Sequence, residues 1–230
     1  MTLVICMKAE AGLILAADSR GTIGDPRGLT AINDNQMKLS QLGKCGLAVA
    51  GASEMGAVLL DELRKKGNDS FDDIDSAVTA LVAEFSQCFT QWFGAIPPQQ
   101  RPAVLLTLAG YRFQPNKVPE SKIYLLNSQQ NFAPQLFSTP CMSGVPQYAV
   151  YLVHRYYDTS ISMDKAKALA EYLIAETASQ DPKVGGAIRI AEITPENGYK
   201  ELSEKEVKAI SRANEKLNSR LRQFFLKNEV

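Results

Sequence analysis

The spacing of hydrophobic residues changes along the chain and predicts alternating groups of strands and helices. Residues 2–8 and 13–17 are almost continuously apolar, which is typical of strands in a sheet that is covered on both faces. Short strands are also predicted at 36–42 and 46–50. Residues 19–35 are rich in glycine, proline, aspartate and asparagine, and this composition predicts a loop.

A helical period follows these strands. Met55, Leu59 and Leu63 recur every four residues, and Gly67 is placed to end that helix. Similar patterns predict three more helices, at 72–93, 146–157 and 163–179. Ser162 is placed to cap the last of these. The remaining apolar runs predict strands at 103–110, 122–127, 132–137 and 187–193.

The order of these elements indicates an α+β fold. Strands are followed by two helices, then by strands, two helices and a strand, and such an order favours stacked layers in which helices cover the sheets. The sequence shows neither internal repeats nor a linker. We therefore expect a single domain over residues 1–200.

The last segment, residues 201–230, predicts a separate helical extension. Ser203 and Glu206 have the spacing of a capping box. Apolar residues then recur at near-heptad spacing, at Val207, Ile210, Leu217, Leu221 and Phe224. This pattern fits a helix that packs on its own domain, with a contact to another subunit as the alternative.

Composition narrows the classes of function. Of the 230 residues, 45% are hydrophobic and 22% are charged, as in ordinary globular proteins. The 25 basic and 25 acidic residues balance, which argues against a nucleic acid or an acidic membrane as partner. Because no apolar run approaches the roughly 20 residues of a membrane span, we expect no membrane insertion.

The cysteines and the single histidine exclude common metal sites. Cys6, Cys45, Cys88 and Cys141 are far apart in sequence and lie in apolar surroundings. Without a Cys-x-x-Cys pair or further histidines, the pattern offers no zinc site. We expect buried free thiols in a reducing compartment and a cytoplasmic location, with neither a metal nor a cofactor.

The start of the chain offers one candidate nucleophile. If Met1 is removed, Thr2 carries both a hydroxyl group and a free α-amine. A hydroxyl needs an adjacent base, and an α-amine with a pKa of about 7.7–8.0 can serve as one near neutral pH. Taken alone this is a weak signal, because many chains begin with Met-Thr.

Further motifs follow Thr2 in a recognisable order. Residues 12–22 include an Ala-Ala-Asp-Ser-Arg segment, 37–39 read Met-Lys-Leu, and 46–53 end in Ala-Gly-Ala-Ser. Residues 142–144 read Met-Ser-Gly, and 180–186 read Gln-Asp-Pro-Lys-Val-Gly-Gly. Over residues 2–200 this order resembles that of proteasome beta subunits and related bacterial proteases. The resemblance implies a four-layer αββα sandwich of the N-terminal-nucleophile hydrolase type.

The resemblance also implies catalytic roles for matched residues. Thr2 would be the nucleophile, with its amine as the general base. Lys38 would place a positive charge beside it, and Asp18 would hold that lysine. The N–H of Gly51 would donate to the oxyanion.

Two further residues match positions that orient the terminal amine in that family, Ser143 and Asp181. The chain departs from the family at Val184, where a serine is frequent. Residues matched to the substrate pocket are Gly21, Gln36, Ser40, Val49 and Ser53, and they suggest a medium or large neutral substrate side chain.

The function implied is that of a threonine endopeptidase subunit. It would act on peptides or unfolded proteins inside a ring-type homo-oligomer, supplied by an ATPase unfoldase. Two alternatives stay open at the level of the sequence. One is a non-catalytic structural subunit of such a ring, and the other is an amidohydrolase for small amides on the same fold.

Overall fold

Two antiparallel five-stranded sheets form the frame of the protein. The computed structural model describes residues 2–24, 30–67 and 69–226, which form a mixed α+β structure. The strands in that part of the chain are β1 (Leu3–Ala9), β2 (Gly12–Ala17), β3 (Gly21–Gly24), β4 (Thr30–Asn33), β5 (Leu39–Leu42), β6 (Cys45–Gly51), β7 (Val104–Arg112), β8 (Glu120–Asn127), β9 (Gln135–Phe137), β10 (Cys141–Gly144), β11 (Arg189–Thr194) and β12 (Gly198–Glu201). The helices are α1 (Ser53–Lys65), α2 (Ile74–Phe93), α3 (Gln147–Tyr156), α4 (Met163–Gln180) and α5 (Glu204–Leu226).

The strand order places the N-terminal strand inside a sheet. The first sheet has the order β10-β1-β2-β11-β12 and the second has the order β5-β6-β7-β8-β9. The strands β3 and β4 form a separate two-stranded sheet. Because β1 pairs with a neighbour on each side, the backbone next to Thr2 is fixed by two ladders of hydrogen bonds.

Three hydrophobic clusters explain why β1 and β2 are apolar on both faces. One cluster packs the second sheet against α1 and α2, and another packs the first sheet against α3 and α4. The third contains buried residues of both sheets. Alternate residues of β1 divide between them, since Leu3 and Ile5 belong to the second cluster and Val4 and Cys6 to the third.

Four short strands of the structure were not predicted from the sequence, namely β3, β4, β10 and β12. The predicted loop over 19–35 contains β3 and β4, which pair in register from Gly21–Asn33 to Gly24–Thr30. The glycines at both ends of β3 led to the prediction of a loop, because glycine is typical of turns. Strand β10 was also missed, since four residues after a proline are too short to show a period of two.

The helix ends are mostly where the sequence places them. Asp73 caps α2 by accepting from the backbone N–H groups of Asp75 and Ser76. Gly67, with a φ of 69°, follows α1 as expected. The capping prediction for Ser162 is only half right, because it occupies the N-cap position of α4 but its side chain makes no capping hydrogen bond.

The C-terminal helix packs on α4 at least as far as Asn218, which donates to Glu176 Oε1 at 2.7 Å. Its predicted capping box is confirmed, since the N–H of Ser203 donates to Glu206 Oε2 at 2.8 Å. Val207 is buried in the cluster below the first sheet, and Asn214 donates to the carbonyl of Ala168 at 2.9 Å. The far end is different, because Phe224 and Phe225 are largely exposed.

All four cysteines are buried and free. Burial raises the pKa of each thiol, for example to about 12 for Cys45 and to about 11 for Cys141. These groups therefore stay protonated near neutral pH and act as small apolar side chains. In the described part of the chain, no helix is long and apolar enough to cross a membrane.

Candidate active site

The register between β1 and β2 brings Asp18 to the start of the chain. Val4 lies opposite Ala17, so the residue after β2 reaches the backbone that precedes β1. Thr2 is 2% exposed, and its carbonyl oxygen accepts from the N–H of Val145 at 2.9 Å. The candidate nucleophile is thereby held by the strand that follows it and by the segment before α3.

Four donors converge on the carboxylate of Asp18. Its Oδ1 accepts from the N–H of Leu3 at 3.0 Å and from Lys38 Nζ at 2.9 Å. Its Oδ2 accepts from the N–H groups of Arg20 at 3.1 Å and Gly185 at 3.0 Å. One carboxylate therefore ties the lysine to the residue next to Thr2.

Lys38 is a fully enclosed cation, with 1% of its side chain exposed. Its ammonium group also donates to the carbonyl oxygen of Arg20 at 2.6 Å. Burial lowers the pKa of Lys38, and the adjacent Asp18 opposes this shift. The backbone is anchored as well, because the carbonyl of Lys38 accepts from the N–H of Val49 at 2.9 Å.

Gly51 ends β6 in a conformation that favours glycine. Its φ is 81°, and a Cβ added there would collide with the carbonyl oxygen of Ala103. The next residue, Ala52, donates to that same carbonyl at 2.8 Å. Helix α1 begins at Ser53, so the positive end of its macrodipole lies at this turn.

A small cavity joins these elements to Thr2. It measures about 30 Å³ and is lined by Thr2, Gly21, Thr22, Gln36, Gly51, Ser53 and Glu54. Three residues predicted for the substrate pocket, Gly21, Gln36 and Ser53, are therefore beside the candidate nucleophile. The lining residues Thr22 and Glu54 were not expected from the sequence, although both are next to residues that were.

The other two predicted pocket residues lie elsewhere. Ser40 lines a different, open cavity of about 620 Å³, together with Arg64 and Tyr199. Val49 is 3% exposed and belongs to the hydrophobic cluster between the second sheet and α1. The structure does not place either side chain on the cavity that contains Thr2.

Gln36 crosses the cavity with its carboxamide group. Its Oε1 accepts from Ser53 Oγ at 2.8 Å, and its Nε2 donates to Glu54 Oε1 at 2.9 Å. Gly21 makes room for it, since a Cβ at that position would collide with the carboxamide. The four residues form one polar unit beside Thr2.

The two residues expected around the terminal amine, Ser143 and Asp181, lie in surroundings that differ from each other. Ser143 is buried on β10 opposite Val4, and its Oγ is 3.1 Å from Thr107 Oγ1 on β7. Asp181 follows α4 and accepts from the N–H of Lys183 at 2.9 Å. Among the described contacts, none joins Asp181 to Thr2. Val184, at the expected serine position, is completely buried among apolar residues.

An ion pair that the sequence did not reveal holds the loop before Lys38. Arg20 Nε and one η nitrogen donate to the carboxylate of Asp34 at 2.6 and 3.0 Å. The hydrogen bond from Arg20 lowers the pKa of Asp34. Arg20 also donates to the carbonyl of Pro182 at 3.0 Å, so it links this loop to the segment after α4.

Comparison with known proteins gives structural neighbours only. No protein-family model matches the sequence, and no curated protein matches it. Among solved structures, Anbu (ancestral beta-subunit) from Yersinia bercovieri has a TM-score of 0.75 at 16% identity, covering 99% of this chain and 98% of that one. Anbu from Hyphomicrobium sp. strain MC1 has a TM-score of 0.71 at 17% identity, covering 99% and 98% of the two chains.

A Gly-1 mutant of the Hyphomicrobium protein is similar, with a TM-score of 0.70 at 16% identity and coverage of 100% and 99%. Identities this low establish similarity of fold alone. The likeness nevertheless runs along whole chains on both sides. The protein therefore has the fold of these ancestral beta-subunit structures.

Proposed function

We propose that the protein is a threonine endopeptidase subunit of a proteasome-like assembly, acting through Thr2 once Met1 is removed. The observation that carries this proposal is the buried Asp18–Lys38 ion pair beside Thr2. Asp18 Oδ1 contacts both the lysine and the N–H of Leu3. The carboxylate of Asp18 thus links the ammonium group of Lys38 to the backbone directly after Thr2.

A buried ion pair contributes little net free energy to the stability of a fold. Desolvation of two charges offsets most of their attraction, and apolar residues of similar size would serve a core as well. Enclosed charges with perturbed pKa values are more frequent at functional sites. The location of this pair, one residue from a threonine at the start of β1, favours a catalytic role.

The proposed reaction begins with proton transfer from Thr2 Oγ to its own α-amine. The oxygen attacks the peptide carbonyl, and the oxyanion is stabilised by the N–H of Gly51 and the positive end of α1. Collapse of this intermediate breaks the peptide bond, and the ammonium of Thr2 returns its proton to the departing amine. Water then hydrolyses the ester, which releases the acid product and regenerates the hydroxyl.

Lys38 would act by electrostatics. Its ammonium carries three N–H groups, and the described protein contacts use two of them, to Asp18 and Arg20. A fixed cation here favours the neutral form of the nearby amine and stabilises a developing alkoxide. Ser143 and Asp181 would orient the amine, and for Ser143 the hydroxyl contact with Thr107 supports a fixed geometry.

The assembly and fold details are part of the same proposal. The three hydrophobic clusters support a four-layer αββα arrangement of residues 1–200, followed by a helical extension over 201–230. Exposed aromatic residues on α3 and α5 favour a ring-type homo-oligomer. Peptides or unfolded proteins would be the substrates, an ATPase unfoldase would supply them, and buried free thiols fit a cytoplasmic location.

One observation favours a second candidate, a non-catalytic subunit of the same kind of assembly. Val184 occupies the position where the resembled family has a serine near the terminal amine. Its side chain is fully buried among apolar residues. A hydrogen-bonding group is thus replaced by a packing group at the edge of the site.

Labelling with a peptide epoxyketone tests the proposal. The threonine hydroxyl adds to the ketone and the free amine opens the epoxide, so the protein gains the full mass of the reagent. We expect an adduct on Thr2 in the wild-type protein and none in Thr2→Ala. As a control, Thr90→Ala changes an exposed threonine of α2 and should be labelled like the wild type.

The mass spectrum also reports the state of the N-terminus. If Met1 is still attached, treatment with methionine aminopeptidase precedes a second labelling. A chain that starts at Thr2 but takes no adduct from any of several peptide reagents would contradict the peptidase and favour the structural subunit. Hydrolysis of small amides without hydrolysis of peptides would favour an amidohydrolase instead.

A further inference from the structure

The cavity beside Thr2 is lined by polar groups and backbone. None of the seven lining residues that the structure describes has a large hydrophobic side chain. A pocket that selects apolar side chains needs apolar walls, because burial of apolar surface is the source of its affinity. This lining therefore does not suit the neutral, medium or large side chain that the motif matching suggests.

Glu54 supplies the charge of this cavity. It lies in the first turn of α1, three residues after Gly51, and it is exposed to solvent. Within the described ranges, the other ionised groups nearby are paired with each other, Lys38 with Asp18 and Arg20 with Asp34. Across the described residues, the hydrogen bond to Glu54 comes from the neutral carboxamide of Gln36.

The contact between Gln36 and Glu54 shows what the carboxylate can bind. An N–H group of Gln36 reaches Glu54 Oε1 at 2.9 Å, while the other end of the same amide is held by Ser53. An ammonium or guanidinium group in that place would make the same hydrogen bond with the addition of charge. Because the cavity holds only about 30 Å³, Gln36 has to move before a substrate side chain can enter.

We propose that this pocket selects a cationic side chain, lysine or arginine, on the residue whose carbonyl group Thr2 attacks. Glu54 is the specificity-determining residue, and Gln36 holds its carboxylate until the substrate displaces it. This inference rests on the proposed peptidase function and names its substrate class. A bound ammonium or guanidinium group replaces the neutral donor at Glu54 by a charged one, which adds the attraction of opposite charges to the hydrogen bond.

The helix offers an alternative explanation for Glu54. An acidic residue in the first turn of a helix interacts favourably with the macrodipole whatever the substrate is. That role would affect all substrates alike. The ratio of rates between a cationic and a neutral reagent separates the two explanations, because only a contact with the substrate side chain changes it.

Three peptide epoxyketones that differ only in the residue next to the reactive group provide the test, with lysine, norleucine or glutamate at that position. The second-order rate of adduct formation on Thr2 is measured by mass spectrometry. For the wild-type protein we expect the lysine reagent to react about 10- to 100-fold faster than the norleucine reagent, the range of a hydrogen bond to a charged group. The glutamate reagent should be the slowest.

Variants of helix α1 then assign the preference. Glu54→Gln should bring the ratio of lysine to norleucine rates to within about threefold of one, and Glu54→Lys should make the glutamate reagent the fastest. Glu62→Gln, on the same helix and paired with Lys65, should keep the wild-type ratio. Because Glu54 is exposed, the wild-type ratio should also decrease as salt is added.

Each outcome is decisive for the inference. Equal rates for the three reagents, or a ratio that survives Glu54→Gln, would overturn the specificity while leaving the peptidase intact. A preference for norleucine would restore the neutral pocket. Failure of all three reagents on a chain that starts at Thr2 would overturn the peptidase and the specificity together.

Discussion

Burial of the charged side chain of Lys38 costs free energy, and this cost indicates a functional role for the residue. Its side chain and that of Asp18 are 1% and 0% exposed, and they meet at 2.9 Å. Replacement of one member of such a pair destabilises a protein far more than replacement of both members by apolar residues, because the remaining charge has no counter-ion. The protein therefore retains an energetically costly ion pair beside Thr2. Replacement of Lys38 tests the effect of this pair on both stability and activity.

We predict that Lys38→Met lowers the free energy of unfolding by about 3–5 kcal/mol, because Asp18 becomes a buried charge without a counter-ion. Adduct formation on Thr2 should also be lost. Lys66→Met, which removes an exposed lysine paired with Glu84, is the matched control and should change both quantities much less. Denaturant unfolding and epoxyketone labelling measure the two effects. A Lys38→Met protein that labels normally would contradict the electrostatic role.

The wild type and Lys38→Met should also differ in how their free energy of unfolding changes with pH. Because burial lowers the pKa of Lys38, the native state releases that proton at a lower pH than the unfolded chain does. Between the native pKa and the ordinary lysine value of about 10.4, the unfolded chain binds more protons and stability rises with pH. The stability of the wild type relative to Lys38→Met should therefore grow over that range, since the neutral amine can still donate to Asp18 and methionine cannot.

Individual site residues could be predicted from the sequence only where a motif fixes their place. Asp18 and Lys38 follow from matched segments, and the structure brings them together beside Thr2. Glu54 could not be found in this way, because its role depends on the path of the Gln36 side chain across Gly21. For similar reasons Val49 was expected at the pocket, but strand pairing directs it into the core.

Strand β7 connects the second sheet to the candidate site through a single polar side chain. Thr107 is completely buried, among residues of β7 that are otherwise mostly apolar. It meets Ser143 of β10 at 3.1 Å across the interface between the sheets. Ser143 is proposed to orient the terminal amine, so Thr107 is placed to hold Ser143 in one orientation.

We predict that Thr107→Val slows the maximal rate of adduct formation on Thr2 by about tenfold, which corresponds to about 1.4 kcal/mol. The reagent concentration that gives half of this rate should stay nearly unchanged, because Thr107 does not line the cavity. Thr107→Ser, which keeps the hydroxyl group, should restore the rate. Labelling at several reagent concentrations separates the two quantities.

Thr177→Val is the control for Thr107→Val. Thr177 is equally buried, but its hydroxyl donates to the carbonyl of Leu173 within α4, away from the cavity. It should lose stability without slower labelling. Equal slowing in both variants would indicate a general loss of packing and would contradict the positioning role of Thr107.

At the scale of elements, prediction depended on how strong the local period is. Long apolar strands such as β1 and amphipathic helices such as α2 were placed to within a few residues, because many positions report the same period. The hairpin of β3 and β4 was not, because the glycines at the ends of β3 are turn signals. The short β10 was not, because it pairs with β1, which is far away in sequence. Capping was read correctly for α5 and only in position for α4.

The surface of the whole molecule carries exposed aromatic residues that a single chain does not need. Tyr151 on α3 is 64% exposed, and near the end of α5 Phe224 and Phe225 are 75% and 77% exposed. Aromatic residues are enriched at contacts between proteins, where they are energetic anchors. The part of α5 that packs on α4 and the exposed end with Phe224 and Phe225 correspond to the two interpretations that the sequence left open.

We predict that the end of α5 is a contact between subunits and that its loss dissolves the proposed ring. Phe224→Glu with Phe225→Glu should convert a multi-subunit species into a much smaller one in light scattering, because two anchors are replaced by like charges that repel. Arg222→Glu changes the net charge by the same amount on the same turn and should leave the mass unaltered. A wild-type protein that is monomeric at all concentrations would refute the assembly, and a double variant of wild-type mass would place the contact on another face.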